Sequence, residues 1–222
     1  MTRLSDLVAK AHEDIAGALR VSKKPLIAYS GGKDGLVAAH LMAQHGATNG
    51  VCETSFYYAT QEADVRQTAA RLGLNVSFQQ NRDDDWLRKH PEFLFADDAP
   101  TRSKSFAGRQ QRTMRMNAEK LGADMVVFGR RTEENSVKTM LYPVHGRLSF
   151  HPIRDWRETD VWEYLASVGI ERPWIYSTVH GTHSGNSPFY SLRARLVGGQ
   201  AAAWAIATGL DPTITPTRYL GK

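Results

Sequence analysis

At 222 residues, 41% hydrophobic and 23% charged, the chain is long enough for one substantial core with a small appended subdomain and too apolar to be disordered. Its single cysteine, Cys52, excludes an internal disulfide framework, a four-cysteine zinc site and a cysteine-ligated iron–sulfur cluster, and a reducing cytoplasm is the expected compartment. A formal net charge of +5 suits a polyanionic partner, a nucleotide phosphate or a nucleic acid, and no apolar run reaches the ~20 residues of a membrane helix.

Leu4, Leu7, Val8, Ala11, Ile15 and Leu19 recur at helical spacing, and Asp6, Glu13 and Asp14 argue against a leader peptide. Residues 1–22 are therefore expected to form an amphipathic helix that packs on the body. Pro25 to Tyr29 is a short apolar run ending at a glycine pair and predicts a buried strand, followed by a helix from Leu36 to His45 closed at Gly46. Val51 to Tyr58 predicts a second strand, with Cys52 at its start as a small buried hydrophobe. Glu62 to Leu72 predicts a helix, and Leu74 to Gln79 a third strand. A helix is expected from Asp83 to His90, a loop over 91–107, and a helix from Gly108 to Leu121. Asp124 to Phe128 predicts another buried strand ending at Gly129; helices over Glu158 to Val168 and Ser191 to Thr208 follow.

Strands alternating with helices predict an α/β fold: a Rossmann-like, mostly parallel sheet with helices on both faces. In such sheets ligands bind beyond the carboxyl ends of the strands, where the turns after Tyr29 and Phe128 lie. The expected organisation is the packing helix, a nucleotide-binding domain over 23–165 and an extension over 166–222 that completes the substrate side.

The first turn reads Ser30-Gly31-Gly32-Lys33-Asp34-Gly35. Glycines permit positive φ, so that successive N–H groups can face one anion, and the following helix adds the positive end of its dipole. Ser30 offers a hydroxyl, Lys33 a compact charge, and Asp34 a carboxylate to fix the loop or help hold a divalent cation. The spacing is not that of a Walker A loop. Arg130 and Arg131 follow the fourth strand and suit phosphate or sulfate through their guanidinium forks. Arg109, Arg112, Lys138 and Arg154 are further basic candidates for the substrate side. Glu133 and Glu134 can hold Mg²⁺ or lie in a plain exposed loop.

Ser30–Gly35 resembles the PP-loop of the adenine nucleotide α-hydrolase superfamily. Residues 129–136 resemble the second nucleotide loop of the phosphoadenosine phosphosulfate (PAPS) reductase family within it. His151-Pro152-Ile153-Arg154-Asp155-Trp156 and Asp160-Val161-Trp162-Glu163-Tyr164 are similar to that family's Pro-Ile-x-Asp-Trp and Asp-Val-Trp-x-Tyr segments. The resemblance implies an ATP- or PAPS-type ligand with Ser30, Gly31, Gly32 and Asp34 around the phosphates. Tyr29, Tyr58, Ala59, Thr60 and Gly129 would lie beside the nucleotide.

The sequence departs from that pattern twice. Gly35 stands where the loop usually ends in Ser or Thr, and no cysteine lies near the C-terminus to act as the reductase nucleophile. The expectation is an enzyme that cleaves ATP between the α- and β-phosphates with Mg²⁺, using Lys33, Asp34, Arg130 and Arg131, and transfers adenylate to an unidentified acceptor. Two alternatives stay open. One is PAPS or adenylylsulfate processing with an external thiol; the other is a silent nucleotide- or nucleic-acid-associated module. A homo-oligomer is compatible with either.

Overall fold

The computed structural model describes residues 2–52, 59–79, 114–134, 137 and 139–176. Helix α1 (Arg3–Val21) is capped by the Thr2 side chain and buries Ala11 and Ile15 of its predicted stripe together with Ala18, while Leu4, Leu7, Val8 and Leu19 pack partly buried against the core. Strand β1 (Pro25–Ala28) leads into α2 (Lys33–Gln44), β2 (Asn49–Cys52), α3 (Ala59–Arg71) and β3 (Asn75–Phe78). Residues 114–120 form α4, before β4 (Met125–Val127). An antiparallel pair, β5 (Leu141–Val144) and β6 (Arg147–Phe150), precedes α5 (Glu158–Ser167) and a short 3₁₀ turn at Trp174–Tyr176. The expected helices at 83–90 and 191–208 lie outside the described residues.

The strands form one sheet in the order β3-β2-β1-β4-β6-β5, parallel throughout except for the β5–β6 pair. The chain builds outward from β1 to β3, then returns to place β4 on β1's other side. The loops after β1 and β4 therefore flank the point where strand order reverses, where open α/β sheets bind ligands.

Each strand alternates its side chains between two cores. Ile27, Cys52, Met125 and Val127 pack towards α1, α2 and α5, with Ile15, Leu36, Trp156 and Tyr164. Leu26, Val51 and Val126 pack the other way, against Met114 and Ala118 of α4. Buried Asp160 caps the start of α5 through the Arg157 N–H and pairs with Arg3, tying α1 to α5.

The second strand starts two residues earlier than the apolar run suggests, with Gly50 paired to Ile27 on the parallel neighbour and tolerating the close approach, while residues 53–58 lie outside the described residues. Cys52 is consequently the fourth residue of β2 and not its first, and it is buried, level with the ends of β1 and β3. The β5–β6 hairpin is absent from the sequence reading. Its turn is His145-Gly146, with φ +50° and +76°, and Pro143 interrupts the β5 pattern.

Candidate functional site

β1 ends at Ala28, and the Tyr29 N–H continues the ladder by donating to the Val51 carbonyl. Gly31 then takes φ +75°, and a Cβ there would come closer than 3.0 Å to buried Val65, so both conformation and space require glycine. Gly32 caps α2, which starts at Lys33, three residues before the apolar pattern does. The N–H groups of Gly31 and Gly32 have no partner among the described residues. They sit at the positive end of a 12-residue helix.

The second turn closes directly on the first. A Cβ on Gly129 would come closer than 3.0 Å to the Asp34 carbonyl and the Gly35 nitrogen, so two backbones meet where no side chain fits. This contact places two turns, 94 residues apart by the interval from Gly35 to Gly129, at one point beyond neighbouring strand tips.

The charged side chains are arranged differently from the sequence expectation. Lys33 and Arg131 are both fully buried among carboxylates. Lys33 Nζ lies 3.1 Å from Asp34, 3.6 Å from Glu134 and 3.7 Å from Glu158. Arg131 Nε donates to Asp34 Oδ1 at 2.6 Å, one terminal nitrogen to Glu134 at 2.5 Å, and the other to Glu133. Burial opposes both charges. Tyr176 and Asp34 beside Lys33, and Asp34 and Glu134 beside Arg131, outweigh it and hold each pKa above its usual value. Glu133 also accepts the Glu158 N–H at the start of α5, and with Arg131 this holds its carboxyl below the usual range.

Asp34 was expected to help hold Mg²⁺, but its two oxygens are taken by Arg131 and Lys33. The donor set does not fit the cation, and no chemistry is assigned to it. Tyr176 is a neighbour outside the site residues expected from the sequence: its hydroxyl accepts the Lys33 N–H at 3.2 Å, and Lys33 Nζ lies 5.5 Å from its ring centre.

The other candidates are placed as follows. Tyr29 is buried, and its hydroxyl donates to the Val65 carbonyl at 3.3 Å; burial, with Cys52 next in effect, raises its pKa. Ala59 and Thr60 open α3. Arg154 pairs with Asp155 at 2.8 Å, and its carbonyl accepts the Thr132 N–H, fixing the second turn. Tyr58, Arg109, Arg112 and Lys138 lie outside the described residues. Arg130 turns to the opposite face of the sheet from Arg131, because alternation continues past β4, and its guanidinium lies 4.6 Å from the Phe128 ring centre.

Beside Arg130, His151 is fully buried between Phe128 and Tyr142, stacked on both within 16°. Its Nε2 meets Ser149 Oγ at 3.0 Å, while Nδ1 has no partner among the described residues. Burial, with Arg130 and Arg154 nearby, pushes its pKa down to about 4. The folded protein therefore binds a proton here less readily than the unfolded chain, whose imidazole titrates near 6.5. Stability is complete above that value and is lost as pH falls from 6.5 towards 4, by on the order of 3 kcal/mol. Urea midpoints at about pH 7.5 and about pH 4.5 measure this. The drop should be smaller in His151→Gln, and an equal drop in both proteins would contradict the assignment.

Among the described residues no helix is long and apolar enough to cross a membrane, and no group of three or more His, Cys, Asp or Glu is disposed to hold a metal ion.

The sheet order and the paired turns define a PP-loop, adenine nucleotide α-hydrolase-like fold. The chain belongs to the phosphoadenosine phosphosulfate reductase domain family, whose model matches residues 24–181. No curated protein matches it in sequence. Among solved structures it is similar to the phosphoadenylyl-sulfate (PAPS) reductase of Candida auris in its phosphate complex. The TM-score is 0.55 at 15% identity, covering 80% of this chain and 92% of that one. The NH3-dependent NAD synthetase of Campylobacter jejuni gives TM-score 0.58 at 15% identity, covering 99% of this chain and 91% of that one. The NMN synthetase of Francisella tularensis gives 0.62 at 12% identity, covering 100% and 98%. At these identities the likeness is one of fold.

Proposed function

We propose that the chain binds an adenine nucleotide at the Ser30–Gly35 loop and cleaves ATP between its α- and β-phosphates, transferring adenylate to an acceptor in a reducing cytoplasm. The observation that carries this reading is the contact of Gly129 with the Asp34–Gly35 backbone, which closes two turns on one point at the positive end of α2. The unpartnered N–H groups of Gly31 and Gly32, the Ser30 hydroxyl and the helix N-terminus bind the leaving pyrophosphate. An acceptor oxygen bonds to the α-phosphorus, the bond from that phosphorus to the bridging oxygen breaks, and its electron pair leaves with pyrophosphate. Lys33, Asp34 and Arg131 act as positioning residues, because their charges are spent on one another and on Glu133, Glu134 and Glu158.

Release of labelled pyrophosphate from β,γ-labelled ATP, with a panel of acceptors, tests the reaction. Clear nucleotide binding with no release for any acceptor would overturn it. The family match favours a second reading, sulfonucleotide processing with an external thiol. That reading predicts sulfite formation that persists in Cys52→Ser.

Gly35 supplies a gain-of-function test. A Cβ there would meet the Ala28 carbonyl at 3.6 Å, an ordinary contact, so the position accepts a side-chain carbon. Gly35→Ser is expected to tighten ATP binding by about 3- to 10-fold through one added hydrogen bond. Calorimetric titration reads the change, and unchanged or weaker binding would place the phosphates elsewhere.

A further inference from the structure

The second turn sends its two arginines to opposite faces of the sheet, and their surroundings differ completely. Arg131 meets three carboxylates. Arg130 is half-buried against Phe128 and has no carboxylate partner among the described residues. Burial draws its pKa below the usual arginine value, with only Tyr142 acting against it. A guanidinium removed from water without a counter-charge is costly unless something anionic joins it.

Arg130 faces a cavity of about 310 Å³ between α4 and the β5–β6 hairpin. That volume sits at the lower end of the ~300–1,000 Å³ typical of small-molecule sites. Arg115, Arg147 and His145 also line it, and among the described residues no carboxylate does. Arg147 is held by Nε donating to the Ala123 carbonyl at 3.0 Å. His145 is kept at φ +50°, a conformation side chains seldom adopt, on the cavity's wall. The aromatic wall is stiff: Tyr142 and Phe128, both lining the cavity, clamp His151 between them.

We propose that this cavity is a second binding site, for a small aromatic phosphate of the mononucleotide class. The phosphate is received by Arg130 with Arg115 and Arg147, and the ring lies against Tyr142 and Phe128. Guanidinium forks match phosphate oxygens, and a phosphate monoester carries enough charge to answer several of them. The site lies on the face of the sheet away from Lys33 and Arg131 and does not depend on the chemistry assigned to the loop.

Calorimetry with uridine 5′-monophosphate, which lacks adenine, tests it on the full chain. Inorganic phosphate and uridine serve as half-ligands. The nucleotide should bind more tightly than either half, and Arg130→Gln should weaken it by about tenfold or more. Without ligand, Arg130→Gln should melt about 2–4 °C higher, because it removes an unanswered charge; an arginine kept only for structure would give a lower melting point. Should that variant fail to fold, Arg147→Gln and Arg115→Gln carry the same binding test. Absence of binding, or binding that these substitutions leave unchanged, overturns the proposal. So does salt-dependent capture of a single-stranded oligonucleotide with no affinity for the mononucleotide.

Discussion

Replacing Arg131 with methionine is expected to cost about 3–5 kcal/mol of folding stability, the penalty for removing one partner of a buried charge network. Asp34, Glu133 and Glu134 all converge on this fully buried guanidinium; without it Asp34 and Glu134 would keep Lys33, and Glu133 the Glu158 N–H. Urea unfolding at neutral pH reads the loss, and a change below about 1 kcal/mol would show the network to be dispensable. A double-mutant cycle sharpens the result. Asp34→Asn in the Arg131→Met background should cost less than in the wild type, because the carboxylate it neutralises has already lost one of its two cationic partners and keeps only Lys33. Nucleotide affinity should fall in the same variants, since Arg131 fixes Asp34 in the first turn of the loop's helix.

Gly129→Ala is expected to be nearly as damaging, at the upper end of the ~1–3 kcal/mol of overpacking, with loss of nucleotide binding in whatever remains folded. The methyl group would press on backbone atoms of Asp34 and Gly35, which cannot rotate aside as a side chain can. Gly73→Ala is the comparison: φ is +65° there but nothing lies within 4 Å of a Cβ, so only backbone strain of about 1–2 kcal/mol is expected. Thermal melts and ATP titrations of the two variants should separate clearly. If Gly129→Ala binds ATP as the wild type does, the two turns do not share a ligand.

The frame of the fold was legible because it rests on local patterns. The run from Pro25 to Tyr29 and its glycine pair mark β1 and the loop, and the stripe Leu4, Leu7, Val8, Ala11, Ile15 marks α1. What stayed hidden depends on contacts between distant segments. Pro143 and a His-Gly turn disguise the β5–β6 hairpin, which is held by its register rather than by any strong strand signal. Ser30, Lys33 and Arg131 could be named as candidates from residue type and place, but not the partners they would choose. The carboxylates of Glu134 and Glu158 reach Lys33 from two separate elements, and Tyr176 lies 143 residues along the chain from the N–H it caps. Opposite destinations for Arg130 and Arg131 follow from the two-residue repeat of an extended chain, which outlasts β4 itself: the Phe128 N–H still donates to the Phe150 carbonyl.

The proline at the rim of the sheet has a further bearing on how these molecules can meet. Pro143 lies in the outermost strand and brings no N–H to either flank. A second polypeptide aligning itself there would find a gap in the row of donors, so growth of the sheet from copy to copy is discouraged along that margin. Self-association on this side of the sheet draws on side-chain surfaces instead, and these can be altered one residue at a time without disturbing the strands beneath.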